Sequence, residues 1–84
     1  MTDKEILKKQ IIYRSTHRGS KEMDILLGNF VKKYIFDLNT KDLKNLNEIM
    51  SIDDDLIYDW YFNKVNNKKI ADNEVSQKLR NFKL

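Results

Sequence analysis

Ser20-Lys21-Glu22-Met23-Asp24-Ile25-Leu26-Leu27-Gly28-Asn29-Phe30-Val31-Lys32-Lys33-Tyr34-Ile35-Phe36 decides the fold class. Met23, Leu26, Leu27, Phe30, Val31, Tyr34, Ile35 and Leu38 recur at i, i+3, i+4, i+7, i+8, i+11, i+12 and i+15. That spacing paints one stripe on an α-helix, and strand-like alternation is missing. The helix is expected over about 21–36. Ser20 suits its N-cap, and Glu22 and Asp24 in its first turn face the positive end of the helix dipole. Gly28 costs roughly 1 kcal/mol of helix propensity against alanine, which a close helix crossing there would explain.

Upstream, His17-Arg18-Gly19 separates this helix from an earlier one. Gly19 is one of only two glycines, so it is read as a left-handed residue ending the first helix at a tight bend. The bend is expected to display Arg18 and Glu22 on the surface, where Glu22 is within local reach to pair with Arg18 in a salt bridge worth little on its own. The first helix runs about Lys4 to Thr16, capped by Thr2 or Asp3. Leu7 and Ile11 share a face, while Ile6, Ile12 and Tyr13 widen the apolar arc enough to suggest more than one neighbour. Downstream, Asn39 or Thr40 starts a third helix whose face carries Leu43, Leu46, Ile49 and Met50. Ser51 is expected to cap a fourth, with Asp54 completing a capping box and Leu56, Ile57, Trp60 and Tyr61 facing inward. A polar loop, Asn66-Asn67-Lys68-Lys69, precedes a fifth helix that starts at Asp72 and buries Val75, Leu79 and Phe82. With no proline and short connections, the 84 residues read as an all-α, single-domain five-helix bundle over residues 1–84.

Composition narrows the function. Without cysteine the chain has no disulfide framework, thiolate metal site or cysteine nucleophile, and a single histidine rules out a multi-histidine metal site. No apolar run approaches the roughly 20 residues of a membrane span. Met1-Thr2-Asp3-Lys4-Glu5 has neither an apolar signal core nor the arginine-rich, acid-poor character of an import leader, so a cytoplasmic location is expected. The 16 basic and 13 acidic residues are interspersed, giving a net charge of +3 on a solvated surface rather than a nucleic-acid footprint.

Catalytic machinery is not evident. His17 sits at a helix C-terminus, where a lone histidine complements the dipole. Asp53-Asp54-Asp55 lacks the spaced oxygens of a calcium loop and suits a helix start. At the bend, helix capping accounts for Gly19, Ser20 and Glu22 but does not require Arg18, whose replacement by alanine is expected to leave thermal stability almost unchanged.

Arg18-Gly19-x-x-Glu22 followed by Asp24 resembles the RGxxE signature of the FAD assembly factors of succinate dehydrogenase, the SdhE family. The similarity extends from Tyr13 to Phe30, particularly to the family's alphaproteobacterial form, and returns at Asp53-Asp54-Asp55-Leu56-Ile57-Tyr58-Asp59-Trp60. Family members often have proline where this chain has Asp55 and in the loop at Lys68-Lys69. The resemblance implies a bacterial, non-catalytic assembly factor. It would bind the flavoprotein subunit of succinate dehydrogenase, with that of fumarate reductase as a second client, and promote autocatalytic attachment of FAD to a histidine of that subunit. It further implies that the partner carries FAD, with none held stably by this chain, and that the free protein is a monomer. Arg18, Gly19 and Glu22 would then form the partner-binding patch. Arg14, His17 and Asp24 flank it in the same stretch. A generic interaction module of antitoxin-like or regulatory type, and more remotely a nucleic-acid-binding protein, are the competing readings.

Overall fold

The computed structural model describes residues 2–84, and helix is the only regular secondary structure among them. The five helices are α1 (Asp3–Thr16), α2 (Lys21–Tyr34), α3 (Thr40–Met50), α4 (Asp54–Phe62) and α5 (Glu74–Asn81). Side chains cap most of their N-termini. Thr2 accepts from the Glu5 N–H, Ser20 from Met23 and Asn39 from Asp42. Asn73 and Ser76 form a reciprocal capping box at α5.

α2 buries the predicted stripe: Met23, Leu26, Leu27 and Phe30 are fully enclosed and Val31 nearly so, and the stripe runs on past the helix end at Tyr34 through Ile35 and Leu38, also nearly enclosed. Ile11, Leu43, Leu46, Ile49, Met50, Ile57, Trp60, Tyr61, Ile70, Val75 and Leu79 complete one core cluster. α1 packs on α2 and α3, and α5 packs on α3 and α4. α1 does meet two neighbours, yet Ile6, Ile12 and Tyr13 stay substantially exposed. Gly28 lies where α1 passes. A methyl group there would stand 3.8 Å from the Ser15 carbonyl and from Thr16 Cγ2, an ordinary contact. The chain closes at Phe82, whose ring packs edge-on to Phe30 (5.5 Å) and Tyr34 (6.1 Å). The Tyr61 hydroxyl donates to the Phe82 carbonyl.

Four expectations need correction. Gly19 is not left-handed; among the described residues the only positive φ belongs to Lys64, at 57°, just past α4. That conformation turns the chain so that the Val65 N–H reaches back to the Asp59 carbonyl at 3.1 Å. Ser51 ends α3 instead of starting α4, because its hydroxyl donates to Asn47 O and accepts from Arg14. Asp53 takes the N-cap position of α4 without a side-chain bond. α5 begins two residues after Asp72, where the Asn73–Ser76 box sets its first turn.

Candidate functional site

The bend between α1 and α2 is fixed from three directions. Asp24, in the first turn of α2, accepts from the Arg18 backbone N–H at 2.8 Å. Asp54, the first residue of α4, accepts from Arg18 Nε at 2.7 Å through Oδ1 and from the Gly19 N–H at 2.9 Å through Oδ2. The remaining arms of the Arg18 guanidinium reach the turn between α3 and α4, with Nη1 donating to Met50 O at 2.6 Å and Nη2 to Ile52 O at 2.8 Å. One planar cation thus caps the C-terminal carbonyls of α3 and pairs with the acid opening α4, a use that suits a rigid fork of donors. Its side chain is only 9% exposed, so the guanidinium is held inside the fold and not displayed.

Around this clamp the other candidates divide into fixed and free groups. Arg14 donates to Asn47 Oδ1 at 3.2 Å and to Ser51 Oγ at 3.0 Å, tying α1 to the end of α3. The His17 ring stacks on Tyr13 with centroids 3.9 Å apart and planes inclined by 15°. Its Nδ1 lies 2.8 Å from the Tyr13 carbonyl, to which it donates. Glu22 is exposed and has no hydrogen bond or ion pair within the described residues, so it does not orient Arg18. Gly19 is also exposed, and a Cβ there would meet only Asp54 Oδ2, at 3.6 Å.

His17, Arg18, Gly19, Glu22 and Asp54 line an open groove of about 1190 Å³ together with Ser20, Asp53, Asp55, Leu56, Tyr58 and Lys69, whereas Arg14 and Asp24 lie outside its lining. Arg18 and Asp54 neutralise each other, and the groove's other charges are Glu22, Asp53 and Asp55 against the single cation Lys69. The groove is therefore acidic and rich in hydrogen-bond acceptors, the reverse of the cationic patch that Arg18 alone suggests. Sequence reasoning assigned Asp54 to capping and missed its contact with the bend. The conjunction of an unexplained arginine and an acid-rich helix start was the available signal.

A family model described as the flavinator of succinate dehydrogenase, Sdh5, matches residues 9–83. The chain is 29% identical over 58 residues to the FAD assembly factor SdhE of Acetobacter pasteurianus, which covers 69% of this chain and 53% of that protein. It is 32% identical over 71 residues to the mitochondrial succinate dehydrogenase assembly factor 2 of Dictyostelium discoideum, covering 84% of this chain and 50% of the relative. The mitochondrial assembly factor 2-B of Drosophila willistoni is 33% identical over 79 residues, covering 90% and 50%. The chain spans about half the length of these curated relatives. No solved structure matches it significantly.

Proposed function

The chain belongs to the family of succinate dehydrogenase flavinators, and on that premise we propose that it binds the flavoprotein subunit of succinate dehydrogenase and promotes covalent attachment of FAD to it. The observation that carries this reading is the clamped bend. Arg18, Gly19 and Glu22, the residues that resemble the family signature, are organised so that the arginine is spent on rigidity and Glu22 is left free. Arg18, Arg14 and Asp24 are positioning residues in this scheme. Gly19, Glu22 and His17 form the contact surface, with Asp53 and Asp55 beside them. Its acceptors suit a donor-rich or basic patch on the flavoprotein, and the small Gly19 permits close backbone approach.

A preset face of this kind promotes a reaction by orientation. Holding the flavoprotein with its target histidine and FAD in line is worth orders of magnitude in rate when it removes a misplacement of about 1 Å. The flavin supplies the bond chemistry when bound to the partner, and this chain supplies positioning. As the family resemblance implies, the protein in this reading is a non-catalytic assembly factor that holds no flavin stably, acts as a monomer in the cytoplasm, and serves the fumarate reductase flavoprotein as a second client. Among the described residues, no helix is long and apolar enough to cross a membrane.

Covalent flavin on the cognate flavoprotein, read as in-gel fluorescence after denaturation, tests the proposal. The signal should depend on this chain. It should be lost with Gly19→Arg, which projects a long cation from an exposed position without disturbing the core, and weakened with Glu22→Ala. Unchanged flavinylation with a folded Gly19→Arg protein would remove the bend from the mechanism.

A further inference from the structure

On the face of α1 and α2 away from the α3–α4 turn lies a second groove, of about 530 Å³. Its floor is made by the small residues Ser15 and Gly28, where the two helices approach each other. Ile12, Ile25 and Phe36 line it and remain 41%, 43% and 76% exposed, so that three large apolar side chains share one exposed patch. The charges beside it are mainly positive. Lys21 and Lys32 line the groove, and the Lys8 ammonium stands 5.3 Å from the Phe36 ring centroid. The lining carboxylate, Asp24, is engaged by the Arg18 N–H.

We propose that this groove binds an amphipathic helix whose apolar anchors are flanked by glutamate or aspartate. The concave apolar strip between two helices accommodates anchors at i, i+3, i+4 and i+7, and the lysine rim pairs with acids on either side. The site is separate from the acidic groove at the bend and does not rest on the flavinylation reading. Together the two grooves, which share no lining residue, give the molecule opposite docking preferences.

The probe is a synthetic 16-residue helix with leucines at those four spacings and flanking glutamates, titrated into the full chain and followed by backbone amide NMR. Expected are shifts confined to the surroundings of Ile12, Ile25, Gly28 and Phe36, and binding that weakens with salt. Affinity should fall roughly tenfold in the Lys21→Glu/Lys32→Glu double variant, in line with the loss of two exposed ion pairs and their replacement by like-charge contacts. Binding should also be abolished by Ile25→Asp, an exposed change that spares the core. Equal binding of a peptide with lysines replacing the glutamates would overturn the proposal. So would no binding of the acidic peptide, association of the chain with itself through this face, or retention only by vesicles of anionic phospholipid.

Discussion

Arg18 serves three acceptors with one guanidinium, and its truncation should be costly. Arg18→Ala leaves Asp54 unpaired and the Met50 and Ile52 carbonyls without their donor. A loss of about 2–3 kcal/mol is expected from charge-assisted bonds in a largely enclosed setting, or roughly 10–20 °C in Tm for a domain of this size. This reverses the expectation drawn from sequence. A double-mutant cycle with Asp54→Ala should show a coupling above about 1 kcal/mol, and additive losses would dismiss the clamp. Arg18→Lys should rescue little, because a point charge cannot occupy three directions. The importance of this arginine was legible in the sequence, but its partner was not. Asp54 lies 36 positions away, whereas local reasoning offered Glu22. Gly19 misled for a similar reason: the chain assigns its left-handed turn to Lys64 instead.

At the level of the elements, periodicity did well wherever burial was one-sided. The α2 stripe, the faces of α3 and α5, and the caps at Ser20 and Asn39 follow from local spacing and side-chain chemistry. Boundaries that depend on distant partners did not follow. Ser51 is a good N-cap by type, but Arg14 from α1 engages it, so α4 starts later. Ile70 directly follows the polar loop and has no periodic partner nearby to mark it, yet it is 6% exposed and anchors the connection between α4 and α5 to the core. Gly28 gives a direct test of helix propensity against packing. The 3.8 Å clearances admit a methyl group, so Gly28→Ala should stabilise the fold by about 0.5–1 kcal/mol, seen as a rise in the denaturant midpoint with an unchanged slope. A fall in the midpoint would mean that α1 and α2 cannot accept even that contact.

For the whole molecule, the decisive closure is the docking of the C-terminal segment on the bundle through Tyr61 and Phe82. Burial pushes the Tyr61 phenol above its usual value of 10.0. The folded state therefore holds this proton more tightly than the unfolded chain. The associated stability is intact below about pH 10 and is lost as pH climbs through the raised folded value. Tyr61→Phe should cost about 0.5–1.5 kcal/mol at neutral pH through the missing bond to the Phe82 carbonyl, and should lessen the decline at alkaline pH. An identical alkaline decline in both proteins, followed by urea unfolding at several pH values, would exclude Tyr61 as its source. Trp60, the single tryptophan, is 5% exposed beneath the Arg80 guanidinium, which lies 5.3 Å from its ring, and lines neither the groove at the bend nor the one between α1 and α2. The molecule therefore carries its own optical gauge: indole emission will shift to the red when α4 and α5 part, yet hold its wavelength while either groove fills, so integrity and occupancy can be read separately from one unlabelled sample.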